Sequence, residues 1–216
     1  MADITVLGID PGSRKLGYGI VRRSSGGALS ATHFGVLSLS GKLTFTERLL
    51  RIHQGVIELI EDFMPDAFSI EKAFVGESPS SSMKLGEARA AAILAAGRLA
   101  LPVFEITPSE AKKAVTGSGR ADKARVRDMV VCQLGLERSP AFDASDALAI
   151  ALSYLYRRDR DDHLGAAAGL PGVTRKPKKR KGRRGGWTAA RRPAACGCTH
   201  ASARRKFPPS ARSRRS

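Results

Sequence analysis

No acidic residue stands between His163 and Ser216, although that stretch carries 16 of the 37 lysines and arginines. Residues 1–162 hold all 20 acids against 21 basic residues, so the formal net charge of +17 is almost entirely a property of the last quarter of the chain. Large apolar residues are also scarce there, where Arg, Lys, Ala, Gly, Pro and Ser dominate. Such a segment cannot offset the entropy of ordering, so residues 163–216 are expected to form a disordered basic tail. Cysteine is scarce too: Cys132, Cys196 and Cys198 give an odd count, which excludes a disulfide framework and fits a reducing cytoplasm. Cys196-x-Cys198-x-His200 lacks the fourth ligand and the spacing of an ordinary zinc site. No apolar run is long enough to span a bilayer, and Met1-Ala2-Asp3 leads into a strand rather than a secretion signal. A soluble, cytoplasmic protein without a membrane partner is therefore expected. No internal repeat is apparent, and His33, His53, His163 and His200 all fall outside the motifs that follow.

The rest of the chain is long enough for one good core. Hydrophobic patterning gives strands near residues 4–9, 17–22 and 29–39, a helix near 43–63, strands near 67–70 and 102–106, and then three helices. Alternating strands that give way to helices read as an α/β fold with a mixed sheet. A further helix, Met83 to Leu101, carries a small-residue stripe of Leu85, Ala88, Ala92 and Ala95. Small residues let helices approach closely, either on this chain's own sheet or on a second copy. The segment from Phe74 to Ser82, with Gly76, Pro79 and four serines, reads as a mobile loop.

Four acids stand out by position. Ile4 to Ile9 is a β-branched apolar run stopped by Asp10-Pro11-Gly12, which puts Asp10 at a strand's carboxyl end, the edge where open α/β sheets bind ligands. Alone, the tripeptide is equally good turn chemistry. Glu71 repeats the geometry after Ala67 to Ile70, and on its own would pass for a solvated strand end. If the two strands are parallel neighbours, roughly 5 Å apart, the acids meet across the sheet edge. Like charges that close repel unless a cation or a proton lies between them. Asp143 and Asp146 share one face at the start of an alanine-rich helix, where acids also serve as caps and dipole partners. Taken together, the four form a hard-oxygen set suited to Mg²⁺ or Mn²⁺. Two such ions roughly 3.5–4 Å apart activate water and stabilise the leaving oxygen in displacement at phosphorus, with no histidine base required.

Gly8-Ile9-Asp10-Pro11-Gly12-Ser13 with Gly17-Tyr18-Gly19, then Ile70-Glu71-Lys72-Ala73-Phe74, Lys84-Leu85-Gly86-Glu87-Ala88-Arg89, and Asp143-Ala144-Ser145-Asp146-Ala147-Leu148 resemble, in this order, the RuvC family of bacterial Holliday-junction resolvases. The similarity runs from about residue 4 to residue 156. It implies a ribonuclease H-like fold, with a mixed five-stranded sheet flanked by helices, over a nuclease domain of residues 1–160. It further implies a homodimer that cuts two like-polarity strands of a four-way DNA junction with Mg²⁺, two ions per site, leaving 5′-phosphate and 3′-hydroxyl ends. RuvA and RuvB are the partners it suggests.

By the same resemblance Asp10, Glu71, Asp143 and Asp146 are catalytic metal ligands, Asp143 being the position where some members carry histidine. Phe74 matches an aromatic that stacks on a base near the junction centre, though it could equally plug the core. Lys112 and Lys123 match lysines that bind DNA near the cut, and Lys113, Lys84 and Arg89 join them as DNA contacts. Lys112 and Lys113 lie in a helix opened by Thr107-Pro108-Ser109-Glu110, which has capping-box form; Lys123 follows the glycine turn Gly117-Ser118-Gly119. The resemblance also assigns the Met83–Leu101 helix to the two-fold interface.

Two other functions share parts of this pattern. An actin-like sugar kinase or ATPase also places a phosphate loop after strand-Asp-x-Gly, but needs two such domains, for which this chain is too short. A non-catalytic nucleic-acid binder could act through Lys176 to Arg184, whose phosphate contacts would be salt-sensitive. Tail removal separates that case, because a resolvase would still cut junctions. The tail itself is either a nonspecific DNA-gripping arm or the product of an altered reading frame.

Overall fold

The computed structural model describes residues 2–72 and 79–167. Phe74, residues 168–216 of the basic tail and the Cys196-x-Cys198-x-His200 group lie outside these residues, whereas residues 163–167, expected to begin the disordered tail, continue the last helix because its hydrogen-bonded turns run on past the core.

Five strands form one mixed sheet in the order β3-β2-β1-β4-β5. β1 (Ile4–Asp10), β2 (Lys15–Arg23) and β3 (Leu29–Ser38) pair antiparallel, as consecutive strands joined by short turns can. β4 (Ala67–Glu71) and β5 (Val103–Ile106) run parallel to β1, and each is reached through a helix: α1 (Phe45–Phe63) precedes β4 and α2 (Pro79–Arg98) precedes β5. The three remaining helices are α3 (Pro108–Thr116), α4 (Lys123–Leu134) and α5 (Phe142–Ala167).

The helices divide between the two faces of the sheet. One core contains Leu7, Ile9, Ile20, Phe68 and Ile70 of the strands against Ile52, Val56 and Ile60 of α1 and the alanines of α2. The other packs Val6 and Val21 against α5, with α3 and α4 closing its outer side through Val115, Val126 and Val130. Period-two alternation along β1 serves both faces at once.

Glycine sets the distance between α5 and the sheet. Gly8 and Gly19 are cross-strand partners, as are Asp10 and Gly17. A Cβ at Gly8 would lie 2.1 Å from the carbonyl oxygen of Ala147, and one at Gly17 only 2.0 Å from that of Asp143. No side chain fits in either place, so the backbone of α5 rests directly on β1 and β2, and its first turn lies beside the end of β1.

One further expectation changes. Helix α2 begins at Pro79, so Ser80, Ser81 and Ser82 are helical rather than part of a loop. Proline suits a first helical position, where its missing N–H costs no hydrogen bond and its fixed φ is already helical. Of the two uses open to the small-residue stripe, the structure shows the one within this chain's own core: Ala88, Ala92 and Ala95 are fully buried beside α1, and Leu85 is half-buried. Exposed on α2 are Met83, Ala90 and Leu94, spaced to share another face. Among the described residues, no helix is long and apolar enough to cross a membrane.

Candidate active site

Asp10 ends β1 and Glu71 ends β4, and the parallel register Ile9↔Ile70 makes them neighbours at the same edge of the sheet. Asp146 comes down from α5, held there by the glycine contacts. With Lys112 of α3 and Lys123 of α4, these acids line a cleft of about 260 Å³ whose walls include Ala111, Val126, Ala149 and Ile150. Three acids from three elements thus share the cleft with two lysines from two more.

The sequence supports each placement locally. The capping box at the start of α3 is fully formed: Thr107 Oγ1 accepts from the Glu110 backbone N–H at 3.2 Å, and Glu110 Oε2 accepts from the Thr107 N–H at 2.8 Å. Gly117 ends α3 in the left-handed region, with φ of 79°. Asp122 then caps α4, accepting from the Arg125 N–H at 2.8 Å, so Lys123 opens α4 at the cleft. Behind this module, Tyr156 donates to Gln133 Oε1, and Gln133 Nε2 donates to the carbonyl of Val115. That relay ties α3, α4 and α5 together.

Crowded carboxylates in a cleft retain protons. Burial first, then the charges of Glu71, Asp146 and Asp143, push Asp10 up to about 8. Glu71 is raised as well, by burial and then by Asp146. Lys123 donates to Asp146 Oδ2 at 3.1 Å, and that carboxylate holds the ammonium above its usual range. Asp143 lies in the first turn of α5 rather than at its cap, half-buried and close enough to add to the field at Asp10. It stands beside the cleft rather than in its lining.

The residues fit a divalent metal. Asp10, Glu71 and Asp146 offer hard oxygen donors, and their mutual repulsion is the charge imbalance that a cation removes. Lys123 already brings positive charge against Asp146. Among the described residues, no three His, Cys, Asp or Glu side chains are drawn into a group ready to hold an ion.

The remaining basic residues named from sequence are distributed more widely. Lys113 is exposed on α3 outside the cleft lining, and Lys84 is exposed on α2. Arg89 is turned inward: its Nε donates to the backbone carbonyl of Glu71 at 3.1 Å, and its guanidinium pairs with Glu105 Oε1 at 2.5 Å. Glu105, on β5, escaped the sequence reading altogether, because it is 16 positions from Arg89 and nothing in their spacing signals contact. The packing of Gly17 on Asp143 was hidden for the same reason.

A sequence profile of the family described as "Crossover junction endodeoxyribonuclease RuvC" matches residues 6–154. The crossover junction endodeoxyribonuclease RuvC of Idiomarina loihiensis is 44% identical over 155 residues, covering 70% of this chain and 86% of that protein. The protein of the same description from Mannheimia succiniciproducens is 47% identical over 151 residues, covering 70% and 75%. Among solved structures, Thermus thermophilus RuvC in complex with Holliday junction substrate superposes with a TM-score of 0.67 at 35% identity, covering 71% of this chain and 94% of that one.

Fold, cleft and solved relative together define a ribonuclease H-like nuclease of the metal-dependent class. Within that class the chain belongs to the RuvC family of crossover junction endodeoxyribonucleases.

Proposed function

We propose that this chain is a Holliday junction resolvase: it hydrolyses a phosphodiester bond in each of two like-polarity strands of a four-way DNA junction, in recombination and repair. The observation that carries this reading is the meeting of Asp10, Glu71 and Asp146 with Lys112 and Lys123 in one cleft. Acids alone would repel a phosphate, and lysines alone would bind it without cutting.

Asp10, Glu71 and Asp146 would hold two Mg²⁺ ions, which Mn²⁺ could replace, and Asp143 adds charge at the rim. When bound, the metal supplies an activated water and stabilises the leaving oxygen. Lys112 and Lys123 orient the scissile phosphate, Lys123 exchanging its hold on Asp146 for a phosphate oxygen. Lys113 and Lys84 contact the backbone farther out, positioning the duplex without reading it. Phe74 stacks on an exposed base, and the basic residues after His163 grip DNA nonspecifically.

Two equivalent cuts call for two equivalent sites, and a homodimer with two-fold symmetry matches a junction's two like strands. Met83 and Leu94 are 67% and 65% exposed on α2, an apolar face open to a second copy. RuvA and RuvB are the partners this reading brings, and action on chromosomal junctions puts the protein in the cytoplasm.

Asp10→Asn, Glu71→Gln and Asp146→Asn test the role of the acids, since each removes metal charge with little change of shape. Each variant is expected to bind a four-way junction within about twofold of the parent while cutting at least ~100-fold more slowly, a loss of the size that follows from disrupting charge stabilisation at a reacting phosphate. Gel-shift titration beside single-turnover cleavage measures both quantities. Binding and cutting lost together would assign the acids to structure instead.

A further inference from the structure

Arg89 belongs to a block of sequence that suggests DNA contact, but its side chain is only 16% exposed, and its Nε and Nη2 are both turned to protein acceptors. We propose that Arg89 is a positioning residue that fixes Glu71 in the cleft by bracing the end of β4 from α2. This inference deepens the resolvase reading and rests on it for the role of Glu71.

The geometry is specific. Glu71 is the last residue of β4. Its side chain must reach the cleft from a strand end. Along β5, Ile106 pairs with Glu71, and the next amide, Lys72 N–H, donates to the Ile106 carbonyl at 2.8 Å. Arg89 occupies the Glu71 carbonyl itself. Fixing that carbonyl fixes the peptide plane next to the Glu71 Cα, and with it the direction in which the carboxylate leaves the backbone.

Glu105 completes the brace. It is the β5 partner of Ile70, one position back from the catalytic strand end, and its carboxylate forms an ion pair with Nη2 of the guanidinium. One planar group thus ties α2 to β4 and β5 together. Lysine cannot reproduce this, because an ammonium lacks the rigid fork that serves two acceptors in fixed directions. Arg89 lies beside Ala88 and Ala92, which are fully buried, so its backbone is anchored by core packing and the side chain bridges from a fixed base.

Arg89→Lys and Glu105→Ala, each in the full chain, distinguish a brace from a DNA contact. For both variants single-turnover junction cleavage is expected to fall by on the order of tenfold to a hundredfold, the cost of a small misplacement at a reacting centre. Junction affinity without divalent metal should stay within about twofold, with an unchanged slope of log Kd against log salt. Amide hydrogen exchange over residues 67–72, measured without DNA or metal, should quicken while the rest of the sheet stays protected.

A phosphate contact would behave otherwise: Arg89→Ala would weaken binding and lower the salt slope by about one, and Glu105→Ala would leave cutting intact. Either result overturns the proposal, as does cleavage at the parental rate in Arg89→Lys. If Arg89→Lys fails to fold, Glu105→Ala alone carries the comparison. A parent chain that cuts nothing would count against the resolvase reading, whereas unchanged exchange over residues 67–72 would count against the brace.

Discussion

At the scale of single residues, the acids of the site carry the largest physical signature. Asp10 holds its proton to about 8 in the folded chain, against 3.8 for an ordinary carboxyl. Between those values the folded chain binds a proton that the unfolded chain has released. The neutral carboxyl therefore contributes stability that is complete below 3.8 and drains away as pH rises to about 8. Glu71, raised by burial and Asp146, acts in the same direction. In metal-free buffer Asp10→Asn is thus expected to melt above the parent by about 5 °C or more at pH 8, an increment of a few kcal/mol. The gap should close as the pH approaches 4. Calorimetric melting of both proteins across that range in chelator checks it, and a variant less stable than the parent at pH 8 would contradict it. Asp10, Glu71 and Asp146 could each be found in the sequence, because a strand end, or an acid pair three positions apart near a helix start, leaves a recognisable pattern. Arg89 and Glu105 could not: their partnership depends on how α2 lies against β4 and β5, and no local spacing encodes that.

At the scale of elements, cap chemistry and hydrophobic period account for most of what the sequence revealed. The Thr107–Glu110 box and Gly117 mark both ends of α3 because their hydrogen bonds are local. The start of α2 was misplaced because proline and serines also suit a loop, and only packing decides between loop and first turn. The close seating of α5 on the sheet depends on glycines whose partners are more than 100 residues away in the chain. Gly17→Ala would put a Cβ 2.0 Å from the carbonyl oxygen of Asp143. The first turn of α5 must then retreat, at a cost of about 1–3 kcal/mol. Gly41→Ala, where nothing lies within 4 Å, is expected to change stability by no more than about 0.5 kcal/mol. Urea unfolding gives both values. In Gly17→Ala junction cleavage should fall further than stability explains, because Asp143 rides on the displaced turn and Asp146 on the one that follows it; cleavage that tracks only the folded fraction would remove α5 seating from the account of the site.

At the scale of the whole molecule, the two sides of the sheet divide the work. α3, α4 and α5 form the cleft, while α1 and α2 back the sheet and leave Met83, Ala90 and Leu94 facing outward. The stripe that suggested a subunit contact turned inward because alanines let α2 lie close to α1, and the same helix still offers an apolar face elsewhere. If the chain forms the proposed homodimer through α2, Leu94→Glu is expected to convert it to a monomer in light scattering and to abolish paired nicks, while leaving the cleft of each chain unchanged. A variant that stays dimeric would move the interface away from α2. The mixed sheet and its flanking helices were legible from the alternation of strands and helices, whereas which helix covers which face was not, since either side satisfies the same hydrophobic pattern.

The most direct test of the resolvase account is Mg²⁺-dependent cleavage of an end-labelled four-way junction by the full chain, beside a linear duplex of equal length. The account requires paired nicks in two like-polarity strands of the junction, with 5′-phosphate and 3′-hydroxyl ends, and an intact duplex. Equal cutting of both substrates, or no cutting of a junction that the folded protein binds, would contradict it.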